Sequence, residues 1–490
     1  MADSLQQKAI SGITWSAVQR FGTMGISFIS NLFLARLLRP EDFGMIGMLM
    51  VFIAIGDTLV DGGFDSALIQ KKQPTDTDYS TIFFFNLSIS VFLYLLFFAS
   101  APVIASFYRM PQLSTILRVL GLMTIINASG LVQNNQLQKK LNFSRLATIN
   151  VISISVSTTV GIIFALVGFG VWSLVIKTLL NSTMRSSLLW SLTKWKPLRV
   201  FSSISFKELF SFGGLIFLAN SAETIVSQIV SLIIGRFYSS KDLGFYTQAG
   251  SLIQIPETTI PYIINQVFFP VFSSIQDDLN KVVSAFKKSL KALTFVNFPL
   301  MIILMLIAEP LIHLLFTDKW RSSVPYFQLL CLGGMLYSVN STNVNFLKAL
   351  GRGRDILYLS IVKRVITLLS IIVGIRFGIY GIIAGGVIGT YLWLPANAHY
   401  TGKLAGYGAI KQIRDIGPNF LLSIVVGVAV FFGLGTLEIE NHLVLILLKV
   451  TCYVSLYLLA AFLSKNAALD IYLGIAKEVV QKRYRKVEYD

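Results

Sequence analysis

The residues best placed to do chemistry are charged groups set within or at the ends of long apolar runs. The carboxylates are Asp57, Asp61, Asp65, Glu223 and Glu257; the bases are Arg20, Arg118, Lys177, Lys363 and Arg364. A charge at the bilayer centre costs roughly 2.5 to 3.5 kcal/mol on insertion scales, so such side chains turn toward a protein interior or a water-filled path. Asp57, Asp61 and Asp65 are spaced by four, which makes them one stripe on a helix face. Carboxylates there could take up a coupling proton or sodium ion, or accept bonds from hydroxyls. The bases could hold an anion through charge-assisted hydrogen bonds. Plainer readings stand beside these. Asp61 and Asp65 could lie solvated at or beyond the helix end, and Asp57 and Glu257 could pair structurally with Arg20 or with hydroxyls. Arg118, Lys177, Lys363 and Arg364 lie near enough to helix ends to snorkel to headgroups. Trp15, Tyr79, Trp172 and Trp320 read as an interfacial aromatic belt.

Composition dictates what holds these groups. The chain has 490 residues, of which 54% are hydrophobic and 13% charged, and its mean hydropathy is +0.70. In soluble domains about a quarter of residues are charged. Runs of about 20 apolar residues cross a bilayer as helices, because lipid leaves the backbone to satisfy itself. The runs and their polar breaks predict helices near 11–35, 42–66, 79–107, 113–136, 145–167, 169–192, 206–237, 243–273, 285–316, 322–349, 356–376, 378–402, 417–436 and 442–464. The segment 467–486 is amphipathic and too charged to cross.

An internal echo organises these spans. ARLLRPEDFG at 35–44 returns as GRFYSSKDLG at 235–244, and FGVWSLV at 169–175 returns as FGIYGII at 377–383. Order and spacing persist, so the expected architecture is all-α with fourteen spans: a six-helix lobe over 1–200, its repeat over 201–405, two extra helices over 406–465 and a basic tail over 466–490. An even number of spans per copy relates the copies by an axis along the membrane normal. The same offset aligns IAIGD at 53–57 with IQIPE at 253–257, which gives Asp57 and Glu257 matching positions. Gly62-Gly63 and Pro256 are expected to kink or break the helices that carry them.

The net charge of +17 does not point to nucleic acid, because of where it sits. On the expected alternation, 29 of the 41 Lys and Arg fall on the side of the N-terminus and nine on the other. That is the positive-inside pattern, and it puts both termini in the cytoplasm. The basic surface also suits anionic lipid. MADSLQQK is polar and no small-residue cleavage site follows the first apolar run, so that helix is expected to stay. Cys331 and Cys452 lie in spans and read as small apolar residues. His313, His399 and His442 are far apart in sequence, with no ligand partner at metal spacing. GRGRD at 351–355 and GGVIG at 385–389 lack the Lys-Ser/Thr of a phosphate loop. GGVIG suits close helix packing instead. Short outer loops and a missing catalytic cluster argue against an enzyme.

KAISGITWSAVQRFG (8–22), ARLLRPEDFGMIGM (35–48), GDTLVDGGFDSALIQKK (56–72), FPVFSSIQDD (269–278) and the KW at 319–320 resemble the polysaccharide-transport, Wzx-type branch of the multidrug/oligosaccharidyl-lipid/polysaccharide flippase superfamily, near the exporters of colanic or teichuronic acid type. The resemblance covers essentially the whole chain. It implies a MATE-like pair of six-helix lobes, alternating access and residence in a bacterial cytoplasmic membrane. It also implies an undecaprenyl-diphosphate-linked oligosaccharide as substrate, with polysaccharide polymerase machinery as partner. A sugar diphosphate cannot cross hydrocarbon unaided, so Arg20, Lys177, Lys363 and Arg364, with Arg118, are the expected diphosphate groups. Asp57 and Glu257, with Asp61 and Glu223, are the expected ion-coupling or sugar-contact groups. No cofactor beyond protons or sodium ions is expected. The rival within the superfamily is a cation-coupled multidrug antiporter, which Asp57 and Glu257 would serve but the intramembrane bases would not.

Overall fold

The computed structural model describes residues 2–275, 278–435 and 439–474, without the side chains of 2–14, 264, 265, 267, 269–271 and 273. Most of the expected tail, 475–490, lies outside the described residues. Helices dominate, and no strand occurs among the described residues. Contacts divide the chain into two units, Met1–Thr247 and Gln248–Asp490.

The first unit holds α1 (Ala2–Leu37), α2 (Pro40–Asp61), α3 (Phe64–Gln70), α4 (Asp76–Phe107), α5 (Gln112–Leu120), α6 (Leu122–Lys139), α7 (Phe143–Leu166), α8 (Val171–Thr193), α9 (Ser203–Phe237) and the start of α10 (Ser240–Ser274). The second holds the rest of α10, then α11 (Leu279–Leu306), α12 (Ala308–Phe316), a 3₁₀ turn over Asp318–Ser323, α13 (Val324–Ala349), α14 (Gly353–Ile375), α15 (Gly378–Ala405), α16 (Ala409–Leu434) and α17 (His442–Leu463). Every expected span is occupied by helix. Ten helical stretches among the described residues are long and apolar enough to cross a membrane. α1, α8, α10 and α13 are helical but not among those ten, so the count of fourteen stays an expectation. Packing of α9 on α2, α3 and α4 groups it with the first unit. Grouping by contact follows packing and not ancestry, so it leaves the repeat boundary after residue 200 as an expectation.

The echo segments have a local physical cause. Asp42 is the third residue of α2, and its carboxylate accepts the Arg39 N–H at 3.0 Å. Asp242 does the same for Ser239, accepting its N–H at 3.3 Å and its hydroxyl at 2.6 Å. Both close the exposed donors at a helix start. The shared glycines have a reciprocal role: a side chain on Gly44 would run into the Ser240 carbonyl, and one on Gly244 into the Pro40 carbonyl. The starts of α2 and α10 therefore cross backbone to backbone.

Glycine also seats α14 on α15, where side chains at Gly381, Gly385 and Gly389 would strike the α14 backbone. This is the close packing expected of GGVIG. Buried amides join other helices: Asn397 donates to Asn340 Oδ1 at 2.6 Å, and Asn343 and Gln412 exchange bonds of 3.0 Å.

Some expected details come out differently. α10 stays helical on both sides of Pro256, so the chain is not broken there as it is at Gly62-Gly63. Trp320 is 0% exposed and Tyr79 8%, so both are core and not belt; Tyr79 packs edge-on against Trp195 at 6.2 Å. Trp15, at 39% exposed, keeps the surface reading. His313 and His442, distant in sequence, meet with tilted rings whose centroids are 4.0 Å apart, and His313 Nε2 lies 3.0 Å from Asp318. Among the described residues no three metal-capable side chains gather.

The crossing of α2 and α10 gives a direct test. Gly44→Val should cost at least about 1 to 3 kcal/mol by overpacking, read as a lower Tm in detergent. Gly25→Ala should leave Tm nearly unchanged, because nothing lies within 4 Å of a Cβ there.

Candidate functional site

The site begins with a helix that stops. α2 ends at Asp61, and Gly62 (φ 56°) and Gly63 (φ 75°) both take the left-handed conformation that only glycine adopts without cost. A side chain at Gly63 would collide with the Gly213 carbonyl of α9, so the break is pressed onto a second glycine. Phe64 then starts α3 and is fully buried, among Phe85 at 5.2 Å and Phe206 at 5.6 Å. The open carbonyls at the end of α3 are gathered by Lys139, which donates to Leu68, Ile69 and Lys71. Lys71 pairs with Asp78 at 3.0 Å and Glu208 at 2.9 Å. Partial desolvation works against its charge, but bonds to Glu208 and Asp78 outweigh it and hold the Lys71 pKa above the usual lysine value. GDTLVDGGFDSALIQKK is thus a broken helix fastened at both ends.

The break aims a polar seam into the first unit. Asp57 is half-buried on α2 beside Asn127 of α6. Asp61 accepts the Asp65 N–H at 3.3 Å, and Asp65 accepts a short 2.6 Å bond from Asn135 Nδ2. Arg185 of α8 lies within reach of the Asp65 charge. Its Nε donates to Asn150 Oδ1 and its Nη2 to Asn134 Oδ1, each at 3.1 Å. Those bonds use two of the five guanidinium N–H groups. Neutral amides orient the cation, Asp65 is the carboxylate whose charge reaches it, and the remaining N–H groups could meet an anion. Three carboxylates beside it offer proton, cation or hydroxyl chemistry.

The other expected residues are placed as follows. Arg20 is half-buried on α1, where its carbonyl accepts the Thr23 hydroxyl at 3.2 Å. Lys177 of α8 lays its stem on α7, so that a Cβ at Gly161 would come 2.8 Å from its own Cβ. Arg118 lies over the Phe98 ring at 4.5 Å and donates to the Phe98 carbonyl at 3.3 Å. Glu223 is exposed on α9, next to Thr224, whose hydroxyl meets that of Thr58 at 3.0 Å. In the second unit Glu257 is half-buried on α10, close enough for its charge to reach Cys331 of α13. Lys363 sits 5.3 Å from the Trp393 ring centre, with Arg364 half-buried beside it.

The structure therefore joins Asp61 and Asp65 across the break, with Asp57 one turn earlier on α2 beside Asn127, so the three do not form one stripe on one helix. Sequence reasoning missed Asn127, Asn134, Asn135, Asn150 and Arg185. Asn127 and Asn134 are seven apart, two turns along one face, and that spacing was the available signal. Arg185 lies inside the expected span 169–192, but the sequence reads it only as one of the basic residues on the side of the N-terminus.

The described residues thus form a helical, multi-pass membrane protein with a charged seam inside its first unit. Residues 33–325 match the family model described as polysaccharide biosynthesis protein, and the chain belongs to that family. It is similar to the succinoglycan biosynthesis transport protein ExoT of Rhizobium meliloti (strain 1021), 28% identical over 85% of this chain and 83% of the relative. It is equally similar, at 28% over 71% of this chain and 73% of the relative, to the teichuronic acid biosynthesis protein TuaB of Bacillus subtilis (strain 168). Its fold is that of the lipid II flippase MurJ in an inward closed conformation, with TM-score 0.75 over 93% of this chain and 99% of MurJ. At 16% identity that likeness concerns the fold alone.

Arg185→Lys tests the seam. A point charge cannot span Asn134 and Asn150 together, so it should lower stability by about 1 to 3 kcal/mol, seen as a reduced Tm with the fold retained.

Proposed function

We infer that this protein flips undecaprenyl-diphosphate-linked oligosaccharide units across the bacterial cytoplasmic membrane by alternating access, with both termini in the cytoplasm. No bond is made or broken on it. Family membership, one relative named for succinoglycan biosynthesis transport and another for teichuronic acid biosynthesis support the substrate class. The observation that carries the reading is Arg185, a guanidinium held by two amides among apolar helices. A diphosphate is the group on a lipid-linked sugar that such a cation binds by charge-assisted hydrogen bonds. Arg20 and Lys177 would add charge in the first unit, and Lys363 and Arg364 in the second. Asp57 and Glu257 would take up the coupling proton or sodium ion, or meet sugar hydroxyls. Polysaccharide polymerase machinery would receive the flipped unit.

The experiment is complementation of a deletion strain. Without the protein, lipid-linked intermediate should accumulate on the cytoplasmic leaflet. Arg185→Gln at normal protein level should export at least roughly tenfold less, since a hydrogen bond to a charged group contributes about 1.5 to 3 kcal/mol. Undiminished export would remove the anion role. Drug resistance on overexpression, with no intermediate accumulating on deletion, would favour the antiporter.

A further inference from the structure

Away from that seam, the second unit carries a cavity of about 490 Å³ bounded by α11, α16 and the turn that follows α17. Its charged lining is lopsided: Lys291, Arg414 and Lys465 face one carboxylate, Asp415. Asp415 is already engaged, 2.9 Å from Lys291 and accepting the Tyr407 hydroxyl at 2.8 Å. Arg414 and Lys465, both exposed, therefore carry the excess positive charge. Lys287 also lies within reach of the Asp415 charge, 5.0 Å from the Tyr407 ring centre.

The floor is rigid. Asn419 donates to the Lys291 carbonyl at 3.1 Å and to Thr294 Oγ1 at 2.9 Å, and accepts from Asn466 Nδ2 at 2.9 Å. One amide thus ties all three walls. Tyr472 adds a bond of 2.9 Å to the Ala292 carbonyl. Along α16 the wall turns apolar, and its Leu421 and Val425 are 63% and 64% exposed. Exposed aliphatics on a spanning helix face lipid tails. A cationic rim above an apolar wall matches the two parts of a phospholipid.

We propose that this cavity binds the phosphate headgroup of an anionic phospholipid, with Arg414 and Lys465 on the phosphate and the acyl chains along Leu421 and Val425. The chemistry is a phosphodiester anion paired with basic side chains at a membrane surface. The site is separate from the transported glycan and stands whichever sugar is moved. Its occupancy would hold α16 and α17 to α11.

The backbone supplies a clean variant. Lys465 has φ 49°, the left-handed region that glycine takes freely, so Lys465→Gly removes the cation and relaxes the chain at once. The purified full chain in detergent is titrated with phosphatidylglycerol, phosphatidylcholine and inorganic phosphate, with binding read by native mass spectrometry. Wild type should prefer phosphatidylglycerol over phosphatidylcholine. Arg414→Gln with Lys465→Gly should bind phosphatidylglycerol roughly thirtyfold more weakly, at about fivefold per basic residue, while keeping its lipid-free Tm. If the pair fails to fold, Arg414→Gln alone should still show about the fivefold loss. Equal affinity in wild type and variant, or no preference over phosphatidylcholine, would overturn the proposal. Binding of inorganic phosphate as tight as that of phosphatidylglycerol would assign the cavity to free phosphate and overturn the lipid.

Discussion

The approach of one helix backbone to another, at positions where no side chain intervenes, is the constraint on which the rest of this structure depends. Gly63 pressed on Gly213 stops α2 against α9, and everything at the candidate site follows from that stop. Had α2 continued, its aspartates would have formed one stripe along a straight face. The break instead starts a second helix whose first turn carries Asp65 toward Asn135 and Arg185. Phe64 and Lys139 hold the new helix in place, one by burial and one by closing its open carbonyls.

In an apolar environment greasy surface alone distinguishes poorly between partners, because lipid tails are as apolar as leucine. Specific pairing then falls to small residues and to buried amides. Both devices recur here: glycine at the α2–α10 and α14–α15 crossings, and asparagine or glutamine between α13, α15 and α16. The seam around Arg185 uses the same amide chemistry in the first unit. There the amides orient a charge, which separates a functional polar group from glue.

The helices were legible in the sequence because their cause is local: apolar length fixes a span, and a carboxylate three residues into a helix fixes its start. The Asp42 and Asp242 echo was visible for that reason. The Gly62-Gly63 break was legible too, since two glycines weaken any helix. Pro256 was not a break, because loss of one N–H leaves the surrounding helix able to continue. What stayed hidden was set by distant contacts. Arg185 reads as one more basic residue near the end of a span until Asn134 and Asn150 are seen to hold it. Trp320 reads as belt until its turn is seen folded inward, and the tilted ring contact of His313 with His442 joins residues from two separate helices. Of the expected site, the aspartates were readable as a group, but the break moves Asp65 off their common face, and the amides that bond to them were not readable.

The central claim is that a cation oriented by amides inside this fold moves a diphosphate-linked glycan between leaflets. Its most direct measurement is flipping of a fluorescent polyprenyl-diphosphate oligosaccharide in proteoliposomes, with sidedness read by an impermeant quencher. Wild type should expose the probe faster than empty liposomes, and Arg185→Gln should fall to near the empty-liposome rate while remaining folded. Equal rates for wild type and Arg185→Gln would contradict the account.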